Sequence, residues 1–208
     1  MNNLVYGNQD PAKLAAGVEE IVRKDVGSAS PLPYRMLDVA EGKATIGSVL
    51  ADIGSVFGNG GTPTLLVVEL DLPGATPGML HAQVLRQGVG ALCGGLRYTF
   101  QLAKPVAGEV GIEGHKSFGT AKFTGDAAAA ARLNGAKDLA KRVDKVLRTE
   151  SEMGSVKVTS ARTFSVSPSN GGSTLTIGSL PRLTSMGMSA TTDAKEILEI
   201  AAAVEAAL

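Results

Sequence analysis

The feature that most constrains the fold is the apolar run over residues 64–72, which Pro73 and Gly74 end. A run that is apolar on both faces is typical of a central strand covered on each side. The next segment begins at Thr76-Pro77 with the form of a helix start. Its apolar residues recur at steps of four, three and four, as in a buried helix stripe: Leu85, Val89, Leu92 and Leu96. An alternating strand up to residue 103 completes what we interpret as a strand-helix-strand unit.

The sequence on either side of this unit also contains clear signals of helices, strands and turns. Asp10-Pro11 predicts the start of a first helix and Gly27 its end. Residues 109–125 are interrupted by glycines and indicate irregular extended chain or a hairpin. Residues 155–180 predict antiparallel strands around the Asn170-Gly171-Gly172 turn, and Thr192-Asp193 predicts the cap of a last helix.

These patterns favour the α+β class, with α/β as the alternative. We expect a mixed β-sheet with the strand-helix-strand unit at its centre, an antiparallel C-terminal portion, and four to six covering helices. A chain of 208 residues can bury one sizeable core. We therefore predict a single compact domain over residues 1–208, with two lobes, 1–105 and 106–208, as the alternative arrangement.

Composition excludes several classes of function. Lys and Arg total 20, as do Asp and Glu, so no bulk charge attracts nucleic acid, and we expect no nucleic-acid partner. Aromatic residues make up 4% of the chain and tryptophan is absent, which disfavours a site of stacked rings. The chain starts without the pattern of a signal peptide, and no run approaches the ~20 apolar residues of a membrane span. We expect no membrane span and a cytoplasmic location.

The residues that most suggest ligand binding lie at the first strand end and the predicted helix start. Asp71 lies near the end of the strand, Thr76 at the mouth of the helix, and His81 about one turn farther on. In open α/β sheets, ligands bind where helix N-termini present N–H groups to anions. This placement predicts a site for a phosphate or carboxylate ligand, while ordinary capping and turn roles are the simpler interpretation.

Catalytic and metal-site patterns are weak. His81 and His115 are the two histidines, and nothing in the sequence brings them together with a carboxylate. Cys93 stands alone in an apolar segment and is interpreted as a small buried hydrophobe. A Gly-x-Ser-x-Gly elbow is absent from the sequence. We predict no catalytic residue, no metal and no cofactor, and we favour a protein that is not an enzyme.

A row of small residues suggests another function. Gly88, Ala91 and Gly95 lie beside the predicted helix stripe, where another backbone could approach closely. The row predicts internal packing, an assembly surface for a homo-oligomer or a protein partner, or a cleft for an apolar ligand. Our leading hypothesis is a non-enzymatic protein that binds or self-assembles through these surfaces. The alternative is a small enzyme or ligand-binding domain for an anionic metabolite at Asp71, Thr76 and His81.

Overall fold

The computed structural model describes residues 5–6, 10–46, 64–87, 90–113, 120–148, 163–179, 182–183 and 190–208. Within these ranges the helices are α1 (Pro11–Val26), α2 (Val39–Ile46), α3 (Ala127–Gly135), α4 (Leu139–Arg148) and α5 (Ala194–Ala207). The strands are β1 (Val5–Tyr6), β2 (Tyr34–Leu37), β3 (Thr64–Leu72), β4 (Gly78–Gln87), β5 (Gly90–Leu102), β6 (Val110–Glu113), β7 (Lys122–Gly125), β8 (Thr163–Ser169), β9 (Gly172–Ser179), β10 (Arg182–Leu183) and β11 (Ala190–Thr191).

Nine of these strands form one sheet in the order β2-β3-β4-β5-β9-β8-β6-β7, with β1 pairing to one end of β5. Every pairing in the described part of this sheet is antiparallel. The chain therefore combines helices with a large antiparallel sheet. The mixed sheet that the sequence suggested is not found in the described residues. A parallel pair needs a long crossover between its strands, whereas β3, β4 and β5 follow one another through short connections.

The two faces of the sheet differ in what covers them. On the face that we call the inner face, apolar residues of the strands join the residues of α1, α3, α4 and α5 in one core. On the opposite face, the outer face, α2 packs at the β3 side, and a Cβ at Gly42 would lie 2.5 Å from a methyl group of Val67. The largest fully buried side chains that the strands contribute to this core are Leu70, Leu80, Leu96, Tyr98, Phe100 and Phe123.

The helix expected between the two central strands is absent, and the expectation of a strand-helix-strand unit is wrong. Residues 78–87 and 90–102 form the antiparallel pair β4 and β5 instead. Pro77 does not open a helix, because its carbonyl accepts a hydrogen bond from Gln101 N–H and extends the strand pairing. A helix here would also carry several glycines at about 1 kcal/mol each. Glycine at position 78 leaves space for the Phe100 ring of the partner strand, because a Cβ there would overlap that ring.

Other local predictions are confirmed. Helix α1 begins after Asp10, whose side chain accepts from Ala12 N–H, and it ends at Gly27 in the left-handed conformation. Strands β6 and β7 form an antiparallel pair within the glycine-rich segment. Strands β8 and β9 pair around the predicted turn. Within the described part of the chain, no helix has the length and apolar character that crossing a membrane requires.

The last helix is present, but its predicted cap is not used. Asp193 has a φ of 56° and its side chain makes no capping hydrogen bond. Asp25, at the end of α1, supplies the cap instead, because its Oδ2 accepts from Thr192 N–H, the Thr192 hydroxyl and Ala194 N–H. Tyr98 then donates its buried hydroxyl to the Thr192 carbonyl at 2.6 Å. The start of α5 is thus joined to α1 and to the inner face of β5.

Candidate functional site

A row of charged and polar side chains crosses the outer face at one level of the sheet. Residues on adjacent strands pair directly in the order Arg35, Glu69, His81 and Arg97. Directly opposed residues of antiparallel strands point to the same face and lie within contact distance. We call these four residues the outer-face row. Beyond it the same level continues through Gly178 and Thr163.

Glu69 is the centre of the outer-face row. Its residue is only 9% exposed, although it stands in the middle of an apolar strand. One oxygen accepts from Arg35 Nε, and the other lies 3.3 Å from Arg35 Nη2 and 2.9 Å from His81 Nε2. The Arg35 guanidinium, helped by His81, holds the pKa of the Glu69 carboxyl below its usual value against the effect of burial. Glu69 is therefore ionised, as a buried carboxylate with two donor groups should be.

His81 is 5% exposed and is held by Glu69. Burial lowers the pKa of the His81 imidazole and outweighs the opposing hydrogen bond to Glu69, so the ring is neutral at pH 7. Its proton lies on Nε2, because an ionised carboxylate can only accept. Nδ1 is then a hydrogen-bond acceptor. It is buried, and no donor among the described residues reaches it. An unsatisfied buried acceptor costs about 1–3 kcal/mol.

Gln83 repeats this arrangement two residues along β4. It is 4% exposed and lies on the outer face next to His81. Its Nε2 donates to the Thr64 hydroxyl at 2.8 Å, and its buried Oε1 has no partner among the described residues. Because alternate residues of a strand point to the same face, the two unsatisfied acceptors lie side by side.

Charged residues lie on both sides of His81 and its partner Glu69. Arg35 also binds Glu41, at the start of α2, through Nη1 at 3.0 Å. This contact connects α2 to the outer-face row. On the other side, the positive charge of Arg97 contributes to the lowered pKa of His81. The His81 ring therefore lies between a carboxylate that orients it and a guanidinium that disfavours its protonation.

The structure places two of the three predicted ligand residues on the same face of the sheet. Asp71 and His81 lie on the outer face of neighbouring strands, because Asp71 pairs with Met79, two residues before His81. Asp71 is exposed, near the end of β3. Thr76 lies in the connection between β3 and β4 rather than at a helix start. The helix N-terminus that was expected to bind an anion does not exist here.

The predicted small-residue row does not lie on a helix. Ala91 and Gly95 belong to β5, where Ala91 pairs with Arg86 and Gly95 with Gln83. Gly88 lies outside the described residues. The interpretation of Cys93 as a buried hydrophobe is confirmed, since it is 1% exposed in the inner core and burial raises the pKa of its thiol to about 12.

Sequence reasoning missed Glu69, Gln83, Arg35 and Arg97. A signal for the first two was present: the carboxylate of Glu69 interrupts the apolar run of β3, and polar residues alternate with apolar ones over 80–84. Such alternation is typical of a strand. The two arginines carry no comparable signal, because their place depends on strand register.

The described residues contain no group of three or more His, Cys, Asp or Glu side chains that could hold a metal ion. The outer-face row consists of the hydrogen-bonded pair of Glu69 and His81, with Arg35 on the Glu69 side and Arg97 on the His81 side. No protein-family model, no curated protein sequence and no solved structure matches this chain.

Proposed function

We propose that this chain is a small-molecule-binding domain whose ligand contacts the outer face at His81. The observation that carries the proposal is the buried neutral imidazole, whose Nδ1 has no donor among the described residues while Nε2 is held by Glu69. A histidine oriented in this way by a carboxylate is ready to bind a group through its other nitrogen. Burial also strengthens any hydrogen bond made there.

We further propose that the ligand carries a carboxylate or a phosphate. Arg97 lies directly opposite His81 on β5, and its charge acts on the imidazole. An anionic group on a molecule that reaches Nδ1 would lie beside this guanidinium, and hydrogen bonds between charged partners are about twice as strong as neutral ones. Binding alone accounts for this arrangement, so the proposal includes no catalytic step.

A thermal-shift series with phosphorylated and carboxylated metabolites tests the proposal. A ligand at about 100 times its Kd should stabilise the folded chain by about 2.7 kcal/mol and raise the melting temperature. Arg97→Gln should reduce this rise. Arg132→Gln is the matched control, because Arg132 is an exposed arginine on α3, away from the outer face. If no anion raises the melting temperature, or if both variants behave alike, the proposal fails.

A second candidate function is self-association, which the sequence placed on glycine-rich helices. The structure favours self-association at a different place, the edge strand β2. β2 is an edge strand whose Tyr34 and Met36 are 44% and 48% exposed, and no other described strand pairs with its free side. Open strand edges with apolar side chains are templates for pairing with a second copy.

Light scattering over a wide concentration range tests this candidate. We expect a dimer that Met36→Lys converts to a monomer, since a charge on the edge opposes strand pairing. A monomer at every concentration would exclude self-association at β2. A dimer that persists in Met36→Lys would place the interface elsewhere.

A further inference from the structure

The described residues contain four buried side-chain atoms without a hydrogen-bond partner, and two of them are neighbours on the outer face. These two are His81 Nδ1 and Gln83 Oε1. The third, Ser179 Oγ, belongs to a strand position that pairs with Leu96. The fourth is Arg23 Nε on α1, and it lies 3.2 Å from the Glu19 carboxylate. The two neighbouring atoms therefore form a distinct feature of the outer face.

Both atoms of this pair are acceptors. Nδ1 is an acceptor because Nε2 carries the proton that His81 donates to Glu69. Gln83 Oε1 is an acceptor because the amide nitrogen of Gln83 donates to Thr64. Their residues lie two positions apart on one strand, which separates the Cα atoms by about 7 Å. Two acceptors at this spacing require two donors.

The charges nearby decide what kind of donor fits. A metal ion would need further ligands, and the described residues contain no group of three or more His, Cys, Asp or Glu side chains that could hold one. An ammonium group would approach Arg97, whose positive charge already contributes to the lowered pKa of His81. An anion without hydroxyl groups offers acceptors only. Hydroxyl groups donate hydrogen bonds without adding charge, and several can stand on one small carbon chain.

We infer that the ligand of this site is a polyhydroxylated carboxylate or phosphate ester, whose hydroxyl groups donate to His81 Nδ1 and Gln83 Oε1. This inference rests on the proposed function and specifies its ligand class. The anionic group pairs with Arg97, and neighbouring hydroxyl groups reach the two acceptors of β4. The site would then discriminate by hydroxyl content, because a buried acceptor left without a donor weakens binding of the analogue that lacks it.

Calorimetric titration of the full chain with matched compounds tests the inference. Glycerol phosphate is compared with n-propyl phosphate, and glycerate with propionate, so that each pair keeps the anionic group and the three-carbon chain. We expect the hydroxylated member of at least one pair to bind about 10- to 100-fold more tightly, as one or two hydrogen bonds would give. Inorganic phosphate serves as the probe for the anionic group alone.

Two variants locate the effect. His81→Phe keeps an aromatic ring at this position but removes the Nδ1 acceptor together with Nε2, and it should abolish most of the preference for hydroxyl groups. Glu69 keeps its contacts with Arg35 in this variant. Gln83→Met should reduce the preference, whereas Thr64→Val, which removes only the protein partner of Gln83, should retain it. Circular dichroism establishes that each variant is folded. A variant that does not fold is replaced by the ligand comparison on the unmodified chain.

The outcomes separate the two proposals. If propyl phosphate and propionate bind as tightly as their hydroxylated partners, the hydroxyl inference is overturned and the anion-binding proposal stands. If none of the five compounds binds, both proposals fail. If the preference exists but is unchanged in His81→Phe and Gln83→Met, the hydroxyl groups are recognised elsewhere and the inference is again overturned.

Discussion

Neighbouring residues of β5 show how different the two faces of the sheet are. Phe100 lies in the inner core and is fully buried, whereas Thr99, one residue earlier, lies on the outer face and is half-buried. Thr99 is followed across the sheet by Thr176 and Ser165 at the same level. The inner face is thus apolar and covered by helices, while this part of the outer face carries hydroxyl groups.

The outer face becomes more informative toward β3 and β4, where polar residues are buried. Burial of Glu69, His81 and Gln83 does not stabilise a fold in the way that apolar burial does, because each polar group needs a partner to offset its lost hydration. Some of these groups have partners and two acceptor atoms do not. Apolar burial on the inner face therefore accounts for stability, whereas the outer face is where we propose ligand recognition.

The largest effect that tests this comparison is expected on β5. Phe100→Ala should lower the free energy of unfolding by about 3–5 kcal/mol, since it removes a fully buried ring from a packed core. Thr99→Ala should lower it by less than about 1 kcal/mol, the range of strand preference alone. Urea denaturation of the two variants measures both values. Equal losses would show that the outer face contributes to stability as much as the inner face.

A smaller effect is expected at the junction of α1 and α5. Asp25→Ala should cost about 2 kcal/mol, because three donors of Thr192 and Ala194 lose their acceptor. Asp25→Asn keeps one acceptor oxygen and should cost less. Denaturant midpoints of the two variants give the comparison. An Asp25→Ala protein as stable as the unmodified chain would mean that solvent satisfies these donors equally well.

The smallest effect is a pH dependence that belongs to the outer face. The pKa of His81 is lowered in the folded chain from 6.5, so the unfolded chain binds the proton more readily. The contribution of neutral His81 to stability is then complete at pH values above the pKa of His81 in the unfolded chain. It is lost as the pH falls below that value toward the pKa of His81 in the folded chain. Unfolding midpoints between about pH 5 and pH 8 should decrease toward acid.

The variant His81→Gln isolates this contribution. Its unfolding midpoint should depend less on pH than that of the unmodified chain over the same interval, because the titrating group is gone. His115 and the carboxylates are common to both proteins and cancel in the difference. The lowered pKa of Glu69 acts only below about 4.5, outside the interval. Identical pH profiles would contradict a buried neutral His81.

Local signals in the sequence predicted the parts of the fold that local chemistry determines. Asp10-Pro11 and Gly27 marked α1 because capping and a left-handed C-terminus act within one turn. The turn at Asn170 and Gly171 marked the β8–β9 pair in the same way. The prediction of a helix in the central segment was wrong because β4 buries residues on both faces of the sheet. Leu85 is fully buried although it alternates with the inner residues, so apolar spacing there resembled a helix.

Only part of the candidate site was predicted from the sequence, and the reason is related. His81 was recognised by residue type, but its partner depends on strand register. Glu69 meets His81 only because β3 and β4 pair antiparallel at that position. Likewise, Asp25 reaches Ala194 across 169 positions of the sequence. Contacts of this kind follow from the assembled sheet and helix layer, and no local pattern announces them.

The far edge of the sheet limits what an association through β2 could build. At β7, the side-chain amide of Asn134 accepts from Phe123 N–H at 2.8 Å and donates to Phe123 C=O at 2.9 Å, as the backbone of another strand would. The two ends of the sheet are therefore not equivalent, since one is occupied by the chain's own helix α3. Copies that join through β2 would meet head to head and stop at two, because a filament needs both ends open.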